Sequence, residues 1–187
     1  CPSMCKCAPE EIIHCNRAGL RALPGEIAAS TISLNLSNNY LRILTTNTFR
    51  NLTFLHSLWL DGNNLTFLSP GTFHALSKLR ELNSRLTYLH ASTFRGLLNL
   101  ISLDLSHCNI FEIHPLLFSH LPSLERLDLA SNNMRYVPQA FRNLSSLTRL
   151  NLYLNNNQIS SISDSAFLYL NKLHFLHLSK NNLSSLP

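Results

Sequence analysis

The sequence predicts a curved, right-handed solenoid of the α/β type, with about six and a half stacked units behind a disulfide-bonded N-terminal cap. Three observations predict it. A leucine ladder recurs roughly every 24 residues, a phenylalanine series keeps the same phase, and four of five cysteines fall within the first fifteen residues. Short parallel strands on the concave side, with irregular or short helical segments on the convex side, are the expected elements.

Composition permits such an architecture and removes several others. The chain has 187 residues, 45% hydrophobic and 13% charged, enough apolar matter for a core and too little charge for disorder. No apolar run approaches the eighteen or so residues that span a membrane. The chain opens on Cys1-Pro2 without a methionine, as expected of a mature, processed or trimmed product. Net charge is +5, but Lys and Arg are scattered singly instead of forming the patch or stripe of a nucleic-acid protein. Mild basicity of this kind favours acidic glycans, anionic headgroups or an acidic protein partner, and nucleic acid is not expected.

The first element is the cap, residues 1–30. Its cysteines read C-x3-C-x-C-x7-C, from Cys1 through Cys5 and Cys7 to Cys15. Zinc usually takes paired C-x2-C knuckles, and the C-x-C step suits two crossing disulfides better, which implies an oxidising compartment. Spacing alone allows three connectivities. The cluster precedes "LRALPGEIAASTISLNLS", where it would cover the open edge of the first strand.

The repeats occupy residues 31–187. Aligned on the second leucine of each ladder, they give Leu34, Leu58, Leu82, Leu103, Leu127, Leu150 and Leu176, with steps of 24, 24, 21, 24, 23 and 26 residues. The phenylalanines Phe49, Phe73, Phe94, Phe118, Phe141 and Phe167 step by 24, 21, 24, 23 and 26. Two independent markers with the same irregularities define one unit, L-x-x-L-x-L-x-x-N-x-L-x-x-L followed by F-x-x-L. This unit resembles the leucine-rich repeat. Its L-x-L core is a strand with alternate side chains inward. Its Asn column (Asn39, Asn63, Cys108, Asn132, Asn157 and Asn181) marks an inward turn where a buried amide satisfies backbone groups.

Two repeats depart from the unit. In "LRELNSRLTYL" Leu82 to Leu86 is four residues where Leu58 to Leu65 is seven, so this repeat lacks its second strand leucine and its Asn, and either the edge is bulged here or the sequence omits residues. In "LTRLNLYLNNNQI" Leu150 to Ile159 is nine instead of seven, two residues more than the unit has between these positions. The last segment, "NNLSSLP", stops within a repeat with no cysteine cluster behind it, and the chain is expected to be the N-terminal part of a longer array.

Acceptor patterns for N-glycosylation occur at Asn35, Asn51, Asn64, Asn143 and Asn182. Asn51 and Asn143 share one phase, two residues after the Phe, and Asn64 and Asn182 share another, directly after the ladder Asn. Asn35 lies inside the concave strand, where a sugar would block that face.

Strand positions between the leucines project from the concave surface. The column before the second leucine holds Ser33, Ser57, Glu81, Ser102, Arg126, Arg149 and Phe175. The column inside L-x-L holds Asn35, Trp59, Asn83, Asp104, Asp128, Asn151 and His177, and the next column includes Asp61 and Tyr153. Exposed aromatic and Arg side chains on a sheet are the makings of a protein interface. The candidate binding residues are therefore Trp59, Asp61, Arg126, Asp128, Arg149, Tyr153, Phe175 and His177. Catalysis is not expected. None of the nine histidines sits in H-E-x-x-H or beside a convincing nucleophile, there is no phosphate loop, and no metal or cofactor is implied. Cys108 in the Asn column reads as a buried structural thiol.

With cap, unit and Phe series in place, the chain resembles extracellular leucine-rich repeat proteins along its whole length, and most of all the Nogo receptor and nyctalopin group. That group also has an irregular early repeat like "NSRLTYLHASTF" followed by one with Cys in the Asn column, like "LISLDLSHCNIFEI". The resemblance implies disulfides Cys1–Cys7 and Cys5–Cys15, and an irregular repeat that is longer than the one here, hence residues absent near Leu82–Asn83. It further implies an extracellular or cell-surface ectodomain, tied to a membrane only through an anchor outside this segment. Such an ectodomain would bind a protein ligand, with a glycan as a further partner, as a neuronal or other receptor or adhesion protein. The alternatives are a secreted matrix protein that binds collagen or glycan, and a variable-lymphocyte-type antigen receptor with more uniform repeats.

Overall fold

Each repeat contributes one short strand, and stacking those strands edge to edge builds the sheet. The computed structural model describes residues 1–87 and 89–184, and of Phe167 the backbone alone. Its strands are β1 (Lys6–Ala8), β2 (Ile12–His14), β3 (Ser33–Asn35), β4 (Ile43–Leu44), β5 (Ser57–Leu65), β6 (Phe67–Leu68), β7 (Glu81–Leu86), β8 (Ser102–Asp104), β9 (Arg126–Asp128), β10 (Asn151–Tyr153) and β11 (Phe175–His177). Nine of them form one sheet in the order β1-β2-β3-β5-β7-β8-β9-β10-β11, parallel except for the antiparallel β1–β2 pair. The short strands β4 and β6 pair separately. Among the described residues, helix is limited to two 3-10 turns, Leu117–His120 and Gln139–Leu144, and one α-helical turn, Ala166–Leu170.

The core follows from the period of two. The strand leucines Leu34, Leu58, Leu82, Leu103 and Leu127 are at most 1% exposed, and their flanking residues face out. Behind them Phe49, Phe73, Phe94, Phe118 and Phe141 are buried to the same degree. Phe49 and Phe73 stack at 6.0 Å, and Phe118 and Phe141 meet at 5.9 Å. The side chain of Phe167, sixth in the series, lies outside the described residues. At the N-terminus, disulfides join Cys1 to Cys7 and Cys5 to Cys15. They tie β1 to β2 within the cap, and β2 pairs in parallel with β3, Ile13 beside Leu34, so the cap continues the sheet and covers its first edge.

The turn after each strand carries the most polar part of the interior. Asn132 is 5% exposed. Its Nδ2 donates to the Leu105 and Leu129 carbonyls, and its Oδ1 accepts the Cys108 and Ile110 amides. One carboxamide thus ties two successive repeats together. Asn63 and Asn157 do the same, to Leu36 and Leu60 and to Leu129 and Leu154. The residue just before each ladder position adopts positive φ: Asn38, Gly62, His107, Ser131, Asn156 and Lys180. At Gly62 a Cβ would fall 2.1 Å from the Asn38 carboxamide oxygen, so any other residue there would have to displace the Asn38 side chain.

The structure relocates both irregularities. In the sixth repeat Leu152, not Leu150, is level with Leu127 and Leu176. The two extra residues therefore enter before the strand, and Leu150 serves as lead-in, its carbonyl accepting the amides of His174 and Phe175. The run "LNLYL" permits both phasings, and the Asn157 ladder selects the later one, since Asn157 follows Leu152 by the five residues that separate Leu127 from Asn132. In the third repeat the pairing runs unbroken through Leu58–Leu82, Trp59–Asn83 and Leu60–Ser84, and resumes at Leu65–Leu86. The shortening falls after Ser84, where it removes the turn, and not at Leu82–Asn83. Ser84 takes the place of the second strand leucine, 2% exposed, with its Oγ unpaired.

The Asn position of the fourth repeat is filled by Cys108. Its Sγ donates to the Ser84 and Ser106 carbonyls at 3.5 and 3.4 Å. Burial pushes this thiol up from 9.0 to about 11. Its protonated form therefore stabilises the fold fully below about pH 9, and that contribution is lost as pH rises through about 11. Iodoacetamide at pH 8 should leave Cys108 unmodified until urea unfolds the chain. The unfolding free energy should fall between about pH 9 and 11, with the fall absent in Cys108→Ala. Asn132→Ala, which strips a buried double bridge, should cost about 2–4 kcal/mol in urea unfolding.

Candidate functional site

Sheet register decides which side chains stand together on the concave face. The column before the strand leucine holds Ser33, Ser57, Glu81, Ser102, Arg126, Asn151 and Phe175, and the column after it Asn35, Trp59, Asn83, Asp104, Asp128, Tyr153 and His177. The later phasing of β10 moves Tyr153 into line with Asp128 and His177, and puts Asn151 beside Arg126. It also removes Arg149 from this face. Arg149 precedes β10 on the flank, with its side chain 84% exposed and 3.8 Å from the Glu125 carboxylate.

The remaining C-terminal candidates meet one another. Tyr153 lies 5.6 Å from Phe175 and 6.1 Å from His177, ring centre to ring centre, and Phe175 lies 6.2 Å from His177. The Arg126 guanidinium sits over the Tyr153 ring at 4.9 Å, a cation–π contact. Its orientation is set by Asp128, whose Oδ2 accepts from Nη2 at 3.0 Å while Oδ1 accepts the Ala130 amide. Asp128 therefore has a positioning role, with both oxygens engaged within the chain. His177 is held in turn through Nε2 by the Ser179 hydroxyl at 2.6 Å. The result is a half-exposed aromatic surface over three adjacent strands, with Phe175 46% exposed at its edge. Such side chains offer contact area at small entropic cost.

The N-terminal candidates stand apart. Trp59 is half-buried on β5, and three strand spacings separate it from β9, roughly 14 Å at the usual interstrand distance. Asp61 accepts from the Ser37 hydroxyl. Asn35 and Asp104, like Asp128, accept the amide two residues ahead and so brace the strand end. Trp59 and Tyr153, in the same column, have no side-chain acceptor to make this brace. Of the acceptor asparagines, Asn51, Asn64, Asn143 and Asn182 are exposed, and Asn35 is half-buried on the concave strand. Among the described residues no group of three or more His, Cys, Asp or Glu could hold a metal ion.

The comparisons follow this geometry. The family model described as leucine rich repeat matches residues 30–83, 83–134 and 102–153. The chain belongs to the leucine-rich repeat family. It is 33% identical over 187 residues to human leucine-rich repeats and immunoglobulin-like domains protein 1, covering 98% of this chain and 17% of that one. It is 36% identical over 152 residues to mouse nyctalopin, covering 78% and 32%. The crystal structure of the mouse RP105/MD-1 complex superposes with a TM-score of 0.86 over 98% of this chain and 31% of that chain, at 24% identity, a likeness of fold. The chain thus spans well under half the length of these relatives. It is an extracellular or cell-surface leucine-rich repeat protein with a disulfide-bonded N-terminal cap. It is related at moderate identity to several receptor and matrix groups, nyctalopin and the Nogo-receptor-like proteins included, without belonging singly to one.

Proposed function

We propose that the chain is the ligand-binding part of a cell-surface receptor or adhesion ectodomain, and that it recognises a protein partner through the concave face. The observation that carries this is the packed cluster of Arg126, Tyr153, Phe175 and His177. Its rings and guanidinium are pre-oriented by contacts with one another and by Asp128, so little side-chain freedom is lost on binding. Aromatic and Arg side chains, once a partner buries them, carry most of the energy in protein interfaces. Relationship to receptor ectodomains and an extracellular setting support the assignment. Trp59 forms a second, smaller contact on the same face. N-glycans at Asn51, Asn64, Asn143 and Asn182 leave that face open, whereas one at Asn35 covers it.

The test is a binding screen of the soluble protein against an array of cell-surface and matrix ectodomains, repeated with Tyr153→Ala and Arg126→Ala. Both side chains are partly exposed, so each variant should keep its stability within about 1 kcal/mol. Each should weaken binding to the partner at least tenfold, about 1.4 kcal/mol. Undiminished binding by folded variants would place the partner site elsewhere on the solenoid.

A further inference from the structure

The shortened third repeat leaves a notch in the flank where the strands end. Its neighbours turn inward at Asn63 and at Cys108, but between Ser84 and Leu86 there is no turn to fill the space. A cavity of about 600 Å³ results, bordered by Tyr40, Arg42, Arg85 and His107. A second hollow of about 580 Å³ continues it toward the cap, sharing Tyr40 and Arg42 and adding Arg21. From Arg21 in the cap to His107 after β8 the row crosses four strand spacings, about 19 Å.

The row is basic and has no counter-charge of its own. No Asp or Glu borders either hollow. The ion pairs among the described residues, Arg126–Asp128 and Arg149–Glu125, lie elsewhere. Arg85 is fixed by its Nε, which donates to the His107 carbonyl at 2.8 Å, so its two terminal nitrogens are turned loose toward the notch. No side-chain bond is made by Arg21 or Arg42 to any described residue. Tyr40, 67% exposed, lies between them.

We propose that this notch and its extension bind a sulfated glycosaminoglycan chain. Guanidinium groups match the planar or tetrahedral oxygens of sulfate and carboxylate with paired hydrogen bonds. Several of them spaced along an open groove suit a linear polyanion better than a single small anion. A protein partner needs a broad apolar centre, and here the large exposed apolar side chains lining the row are Tyr40 and Ile43, with the Tyr40 ring a platform for a sugar. The chain's extracellular or cell-surface location puts it among such glycans. This site is on the flank, not on the concave face, and stands independently of the protein-binding proposal.

The test uses intact protein whose N-glycans an endoglycosidase has trimmed to a single sugar, because Asn64, in an acceptor pattern, also borders the notch and has to remain an amide. Affinity for heparin is measured at several salt concentrations for the wild type, for Arg42→Gln with Arg85→Gln, and for the control Arg50→Gln with Arg95→Gln. Both doubles lower the net charge by the same amount, all four side chains are exposed, and melting curves check the fold. The notch variant should lose about tenfold or more and elute at lower salt, while the control changes little. Asn109→Asp, which adds a carboxylate at the notch and suits the positive φ found there, should weaken binding as well. Equal losses in both doubles, or none in either, would overturn the site. Polyglutamate or single-stranded RNA that competes as well as heparin would overturn its assignment to a sulfated glycan.

Discussion

A buried carboxamide once per repeat is the constraint on which this solenoid depends. Strands of three residues end almost as soon as they begin, and the chain must turn inward over a dry core. There it exposes carbonyls and amides that neither water nor the sheet can reach. Asn63, Asn132 and Asn157 answer both polarities at once and reach across two repeats to do so. Leucine burial supplies the bulk of the favourable free energy, but it is non-directional and would accept other stackings. The carboxamide bridge, with a positive-φ residue just ahead of it, selects one register and repeats it.

That constraint explains what happens where it lapses. The third repeat has no Asn and no turn, and the fourth substitutes a thiol that makes longer contacts. The sheet stays in register through Leu82 and Asn83, because the strand leucine and the Phe series remain. The loss is felt outside the core, as a recess in the flank. It leaves Arg42 and Arg85 facing one another's neighbourhood with no acidic residue between them. An irregularity that is neutral for stacking thus creates the most distinctive surface feature outside the concave face.

Much of the architecture was legible in the sequence, because a repeat states the same physical requirement several times over. The Asn column, the Phe series and the absence of a turn after Leu82 could all be read from spacing. The phasing of "LNLYL" could not, since alternating leucines satisfy a period of two in either register, and only the hydrogen bonds of Asn157 break the tie. That error propagated directly to the concave face. It placed Arg149 among the concave residues and set Tyr153 one column away from His177. The contacts within the cluster were invisible for the same reason, being long-range consequences of register. So was the role of Asp128, which looks like a free surface charge in sequence and is a brace for Arg126 and Ala130 in the fold.

The most direct measurement of this account is native-state amide hydrogen exchange across β5, β7 and β8. If stacking holds one register through the shortened repeat, the amides from Leu82 to Ser84 should exchange as slowly as those of Trp59, Leu60 and Leu103 and disappear only with global unfolding. Fast exchange confined to β7, with protection on both sides of it, would show that the array is broken there. It would contradict the continuous sheet and, with it, both the notch and the alignment of the concave columns.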